Sequence, residues 1–547
     1  MPSPTELITR MARDRATFAS KLDGTYSNAR SKRVNIWTIL LEMEIESGST
    51  FLVSMPDQTP YLCVGLTRET FVIPRSGKGG DRFWAYLDRR YGLSENEGQD
   101  GISRYLLGRF RSYAMQHGAR VEMRRFSAYK TKEGEQAVYL SSYNGAMWRL
   151  DGEEIMPIPT GEDDVFFVDD DGGRFVEPEV GANGVLFEQL VDPINFAEAG
   201  MGGISAEMMR MAYIVWIFAL AFPDLMPTKP LLIVEGAPGS GKSAAVQLLQ
   251  HALLGKAKPI ILSRNKEDDF GVVLLRSPIC VFDNLDAYID WLPDAVCAYT
   301  TAGEWTKRKF FTDSEELTLK PHAFIAVASK NPISFRREDV ADRCVILRLE
   351  RRERFKRFEA LQEEIRDLRP QILGEYLYYV NKLVAEIRGG ALKGQEDEAH
   401  RMADFASLAR VVGRVLEWAP ESVEELLTAI QSEQAAFHNE EDPLVDLLHQ
   451  WVVYKPRNGP SNIGRRVDLF ALFKELETLA EGRGIPFYKG ARMLAQKLRS
   501  PHIEREFIVQ TFAPDGRKSY QIWRKTDPQL SSIPDDSEPI VIALEDD

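Results

Sequence analysis

The chain has 547 residues, too many for one ordinary hydrophobic core, so several domains are expected. A formal charge of −14 and a pI near 5.3 exclude indiscriminate coating of nucleic acid, but not a locally basic groove. Hydrophobic content of 44% and charged content of 27% are ordinary for a soluble globular protein. Cys63, Cys280, Cys297 and Cys344 lie far apart and form no CxxC pair. That spacing implies neither a zinc site nor a disulfide framework, and fits a reducing cytoplasm.

The opening segment, MPSPTELITRMARDR, lacks the apolar stretch of a signal peptide. Residues 1–200 read as a mixed α+β domain of undefined role. Strand-like GSTFLVSM, ETFVIP and QAVYLSSY alternate with helical DRFWAYLDRRYG and ISRYLLGRFRSYAMQHG. An Asp- and Gly-rich loop, FVDDDGGRF, then marks a boundary. The most apolar run, MAYIVWIFALAF at 211–222, is shorter than the about 20 residues a bilayer requires and reads as a buried helix.

Residues 201–350 change pattern. The apolar runs LLIVE, PIILS, ICVFDN, AFIAVAS and CVILRL alternate with helical segments, predicting a parallel sheet with helices on both faces. Residues 351–440 read as a charged helical region. Residues 441–526 read as helices followed by a hairpin turning at Asp515-Gly516, the pattern of a winged helix. The acidic tail, 527–547, reads as disordered.

The sharpest motif is GAPGSGKS: Gly236, Ala237, Pro238, Gly239, Ser240, Gly241, Lys242 and Ser243. An apolar strand precedes it and an amphipathic helix follows. The glycines let backbone N–H groups converge on phosphate, and the helix adds the positive end of its dipole. Lys242 is expected to reach the β- and γ-phosphates of ATP, and Ser243 to ligate Mg²⁺. Asp283 ends the strand of PICVFDN, expected beside the glycine-loop strand, and would hold Mg²⁺ through water. Asn284 stands where many phosphate-loop motors carry Glu. An amide orients water but takes no proton, which would slow hydrolysis or leave the base role to Asp286 or Glu304. Asn331, after AFIAVAS, is expected to hold the attacking water; the alternative is a plain Asn-Pro turn.

Together with RREDVADR at 336–343, these segments resemble the AAA+ ATPase core of superfamily-three helicases. More closely, they are similar to replication ATP-binding proteins of phages, plasmids and integrative elements, relatives of poxvirus-type primase-helicases. The resemblance spans about residues 204–405, and more loosely the winged helix. It implies an α/β fold: an AAA+ P-loop core, a helical lid, the N-terminal α+β domain and the winged helix. It also implies a homo-oligomeric ring, a hexamer, with ATP between subunits. Arg343, first, or Arg337 would then enter a neighbour's site as an arginine finger. Arg401, in the lid stretch HRMADFA, would sense nucleotide within its own subunit. Otherwise these arginines pair with Glu338, Asp339 and Asp342 on a solvated face. RLERRERFKR, from Arg348 onward, reads as solvated lid surface.

Three basic places are candidates for nucleic acid. Lys307, Arg308 and Lys309 open a hairpin whose acidic tip, TDSEE, departs from the DNA-gripping hairpin of the resembled family; they line a channel or touch a neighbour. Lys489, Arg492, Lys497, Arg499, Arg517 and Lys518 fall on the expected recognition helix and wing, where they would dock phosphate or pack on protein. Residues 108–132 interleave cations with aromatics; they would hold a single strand or form ordinary core and surface. The expected function is a replicative DNA helicase of a mobile element, acting on single-stranded or forked DNA without membrane attachment. The rivals are a nucleotide-switched initiator that recruits host replication proteins, and a defence or regulatory scaffold.

Overall fold

The computed structural model describes residues 4–22, 28–55, 57–75, 81–93, 101–132, 135–169, 173–260, 262, 267–286, 288–302, 305–308, 316–319, 322–352, 356–392, 400–439, 443–453, 462–481, 487–488, 490–499, 503, 507–512 and 518–525. It divides into two compact units, Met1–Phe437 and His438–Asp547.

The first unit begins with helices Pro4–Leu22, Ala29–Glu46, Asp81–Tyr91 and Ile102–His117. They accompany a four-stranded sheet ordered Thr70–Val72, Pro60–Cys63, Thr50–Ser54, Ala119–Val121. Trp37, Leu40, Phe51, Leu62, Phe83 and Phe110 fill a core belonging to this part alone. An antiparallel meander follows, Ser127–Lys132, Glu135–Ser141, Ala146–Leu150 and Ile155–Pro159. Its Val138, Leu140, Trp148 and Leu150 belong instead to the core shared with the central sheet. Residues 1–200 also supply two smaller clusters, one with Ala128, Tyr139, Met147 and Phe167 and one with Leu52, Tyr61, Cys63 and Val168.

The central sheet has five parallel strands, in the order Pro259–Ile260, Ile279–Asp283, Phe324–Ser329, Leu231–Gly236, Cys344–Leu349. Alternation along Leu231–Gly236 sends Leu232 and Val234 into one core and Leu231 and Ile233 into another. Burial on both faces is why these strands read as unbroken apolar runs. One expectation is corrected. The strand of Asp283 is not beside the glycine-loop strand, because Phe324–Ser329 pairs with both and lies between them.

The apolar run at 211–222 lies largely in helix Ala206–Ala219, capped by Ser205 and buried along its length from Met211. Among the described residues no helix is long and apolar enough to cross a membrane. Helix Phe358–Arg388 packs against the helix that follows the glycine loop and against the meander.

The second unit contains helices Pro443–Val453, Leu469–Glu481 and Ala491–Lys497. Its antiparallel sheet is ordered Val467–Asp468, Ser519–Arg524, Phe507–Phe512. Leu447, Trp451, Leu472, Leu476, Leu494 and Ile522 form its core. The Asp515-Gly516 turn and the acidic tail lie outside the described residues.

Candidate functional site

In a parallel sheet, the loops at the carboxyl ends of the strands converge, and here four of them do. Strand Leu231–Gly236 delivers the glycine loop. A Cβ on Gly236 would stand 2.5 Å from Ser240 Oγ and 2.7 Å from the Leu349 carbonyl oxygen, so only glycine fits. Gly239 and Gly241 have φ of 84° and 87°, the left-handed region where side chains are strained. Helix Lys242–Leu254 starts directly after them, with its first N–H groups unpaired by the helix itself. Ser240 is buried, and its hydroxyl has no hydrogen-bond partner among the described residues.

Ser243 Oγ donates to Asp283 Oδ1 at 2.9 Å, and Gln247 Nε2 lies 3.5 Å from Asp283 Oδ2. Although a strand intervenes, Ser243 at the helix head spans the gap, and a hydroxyl beside a carboxylate is a donor set suited to Mg²⁺. Asn284 is exposed, with φ of 59°, and its N–H bonds the Ala328 carbonyl at 2.9 Å. Asn tolerates that left-handed conformation better than most residues.

Asp286 is committed elsewhere. One oxygen, Oδ1, accepts from Ser329 Oγ at 2.6 Å and from the N–H groups of Lys330 and Asn331 at 2.8 and 3.1 Å. Burial acts to raise its pKa, but these donors and the nearby Lys242 ammonium outweigh it and hold the carboxyl below its ordinary value. A carboxylate so stabilised is a poor proton acceptor at neutral pH. Glu304, the other candidate base, lies outside the described residues. The bonds to Asp286 fix the turn bearing Asn331, whose buried Oδ1 has no partner among the described residues. The cradle thus holds two unsatisfied polar atoms, Ser240 Oγ and Asn331 Oδ1, as a site meant for a polar guest would.

Sequence reasoning missed Arg352, assigned there to solvated surface. Gly236 pairs with Leu349, so residues 350–352 run beside the glycine loop. The Arg352 N–H donates to the Gly239 carbonyl at 3.2 Å, and its Nη2 to the Pro193 carbonyl at 2.6 Å. Its Nε is buried with no hydrogen-bond partner among the described residues, and burial lowers its pKa. Also missed was a buried ion chain behind the loop. Glu235 accepts from Arg336 at 3.1 Å and Arg348 at 2.9 Å, and Arg348 continues to Glu433 at 2.5 Å. The signal was an acid inside an apolar strand, which needs buried partners.

The remaining arginines lie elsewhere. Arg343 immediately precedes Cys344–Leu349, at the end of that strand opposite the glycine loop. It is 7% exposed, and its guanidinium bonds the Asp339 carbonyl oxygen and approaches Cys297 Sγ at 3.5 Å. In this single chain, then, the guanidinium is turned to its own neighbours. Arg337 is 39% exposed and pairs with Asp294 and Asp339, each at 2.6 Å. Arg401 pairs with Asp342 at 2.7 Å, also at the far end of the strand, so in this arrangement it does not reach its own subunit's loop. Of the basic candidates, Lys307 and Arg308 lie on strand Trp305–Arg308, paired with Glu316–Leu319. Lys309, Lys489 and Arg517 lie outside the described residues. Arg492, Arg499 and Lys518 are exposed; Lys497 is half-buried, with its Nζ 3.5 Å from His438 Nε2.

The class so defined is a mixed α/β protein whose parallel sheet presents a glycine loop, a helix N-terminus, an acid and an amide at one edge. Within it, residues 187–417, under half of the chain, match the family model of the actinomycete integrative conjugative element replication protein. No curated protein sequence matches. Among solved structures, the chain is similar to the A-form apo structure of the NrS-1 C-terminal region, at 11% identity and a TM-score of 0.37, covering 89% of this chain and 98% of that one. An apo structure of the NrS-1 C-terminal region (305-718) gives 12% identity and a TM-score of 0.37 over the same shares.

Proposed function

We propose that the chain is an AAA+ ATPase of the superfamily-three type that drives DNA translocation or unwinding during replication of a mobile element. The matched family description supports the replication setting. The observation that carries the ATPase reading is the Ser243–Asp283 contact at the head of the helix after the glycine loop, beside Lys242. Bound ATP with Mg²⁺ would supply the phosphoanhydride bond whose hydrolysis drives movement.

The chain's own residues would divide the work. Backbone N–H groups of 239–243 bind phosphate, and Lys242 neutralises its charge. Ser243 and Asp283 hold the metal. Asn284 and Asn331 orient water, and positioning supplies much of the catalysis of phosphoryl transfer. The second unit is proposed as a winged helix that docks DNA phosphates through three exposed residues: Arg492 on helix Ala491–Lys497, Arg499 just beyond it, and Lys518 before strand Ser519–Arg524. A hexameric ring in which Arg337 or Arg343 completes a neighbour's site belongs to the same proposal.

A second reading has one specific observation behind it. Asn284 replaces a base and Asp286 is held ionised by three donors. Slow hydrolysis of that kind suits a nucleotide-switched initiator or loader that recruits host replication proteins. Labelled-ATP binding with Lys242→Ala tests the site: binding should be lost, and parental affinity would refute the assignment. Strand displacement on a forked duplex separates the helicase from the loader.

A further inference from the structure

The charge of this chain is unevenly distributed. Residues 1–132 carry 21 Lys and Arg against 14 Asp and Glu, while the remainder carries 47 against 68. An acidic protein with a basic N-terminal part presents one local field of opposite sign.

The structure places that charge on two helices. Ile102–His117 contains Arg104, Arg109, Arg111 and His117 and no acid. Ala29–Glu46 begins with Arg30, Lys32 and Arg33 and has no acid before Glu42. The helices meet along a seam. Arg33 Nη2 lies 3.5 Å from where a Cβ on Gly101 would stand, and the Arg109 guanidinium lies 5.5 Å over the Trp37 ring. Trp37 in turn packs on Phe110 at 5.0 Å. Arg30, Lys32, Arg104 and Arg109 are exposed.

Several carboxylates of this part are engaged by partners, while Glu42 and Glu46, at the far end of Ala29–Glu46 from Lys32, are exposed. Buried Glu44 accepts from Tyr86, Tyr91 and Arg90, and Asp14 pairs with Arg90. Glu69 pairs with Arg82, and Glu122 with Arg124 and His322. Among the described residues no ion pair engages Lys32, Arg104 or Arg109. Farther along the seam Arg111 is half-buried, and its pKa is lowered by burial and by the neighbouring Arg75, a like charge.

We propose that this seam is a nucleic-acid contact separate from the second unit, and that its occupant is a single strand. Cations along the seam take the phosphates. Tyr105 and Tyr113 are partly exposed, and His117 lies against Tyr113 at 4.5 Å, giving rings on which unpaired bases stack. The inference does not depend on the ATP site.

The test uses the full chain and a fluorescent oligothymidylate of about 20 nucleotides, with anisotropy followed between about 50 and about 200 mM salt. Substituting Lys32→Ala, Arg104→Ala and Arg109→Gln together should reduce the salt slope by about 2, at about 0.7 per lost contact on a single strand. The parental advantage in affinity should then shrink about 18-fold across that range. Should the triple variant melt early, Lys32→Ala with Arg104→Ala leaves Arg109 on Trp37 and should cost about 1.4 in slope, or about 7-fold. An unchanged slope in a folded variant overturns the proposal, as does failure of the parent to bind the oligonucleotide. A loss confined to duplex DNA, or to vesicles of anionic lipid, overturns it as well.

Discussion

Removing the Asp286 carboxylate tests whether it is a base or a positioning residue. Its Oδ1 gathers three donors at 2.6, 2.8 and 3.1 Å, all from the turn that carries Asn331. Hydrogen bonds to a charged group are worth about 1.5–3 kcal/mol each, but water replaces much of that at an exposed residue. The expected stability cost of Asp286→Ala is therefore only about 1–2 kcal/mol. The effect on turnover should be larger, because a misplacement of about 1 Å near the reacting atoms costs about 100-fold. ATP affinity should change little, since the phosphate cradle is built from a different loop. Asp286→Asn keeps one acceptor oxygen, so it should restore turnover to within about 10-fold of the parent.

A base behaves differently. If Asp286 took the proton, Asn would be as inactive as Ala, and the acid limb of the pH–rate profile would vanish in both. The assay is steady-state ATP hydrolysis over pH, with labelled-ATP affinity and melting temperature measured on the same samples. Equal loss in both variants refutes positioning, and so does parental turnover in Asp286→Ala. Absence of hydrolysis in the parent would instead refute the ATPase reading, a failure that looks different.

Asp283→Ala should abolish Mg²⁺-dependent hydrolysis, while Asn284→Glu should alter the rate without lowering the melting temperature; normal turnover in the first would refute the metal site. Truncation before residue 443 removes most of the second compact unit and should flatten the salt dependence of duplex binding by about one unit per lost phosphate contact; an unchanged slope would assign that unit to protein contacts. Asp169 is buried, and desolvation raises its pKa to about 7 despite bonds from the Thr70 and Gly145 N–H groups. The folded chain then holds a proton that the unfolded chain releases, so this group's stabilisation, about 4 kcal/mol, is present at about pH 4 and lost as pH rises to about 7. Asp169→Asn should flatten that dependence in denaturant titrations. Mixing Lys242→Ala with Arg337→Ala or Arg343→Ala should restore hydrolysis in rings if the arginine acts across subunits, given that such a group is worth about 10³–10⁵ in rate; mixed rings without activity would refute it.

The glycine loop was legible because its conformation demands glycine at fixed spacing, and the apolar strands because burial on both faces leaves them no polar residues. The strand order was not. Nothing local to Ile279–Asp283 says that Phe324–Ser329 will come between it and the loop strand. Side-chain partnerships across the fold were equally hidden. Asp286 read as a candidate base in place of Asn284; the three donors that commit it come from residues 329–331, distant in sequence. Arg352 read as surface because it sits in a run of charges, whereas the pairing of Gly236 with Leu349 carries it against the loop. The packing inside residues 1–200 escaped for the same reason: only the folded chain shows that Val138 and Leu150 share a hydrophobic core with strands of the central sheet.

Which arginine can serve a neighbour follows from where the strands run. Strand Cys344–Leu349 has six residues, so Arg343 stands about 20 Å from the strand end that adjoins the glycine loop. From there Arg343 cannot assist its own subunit's loop; an anion it meets is local or belongs to another molecule. In this structure Arg343 and Arg337 share one cluster with Asp339 and Cys297. Leaving it is not equally costly for the two. Arg337 would give up two ion pairs in which both partners are well exposed, contacts worth about 0–1 kcal/mol each. Arg343 would have to leave a buried position against a backbone carbonyl that loses its donor, a larger penalty. The family resemblance put Arg343 first, but the energetics of release favour Arg337. On the ring reading, Arg337→Ala should cost more turnover than destabilisation, and Arg343→Ala the reverse.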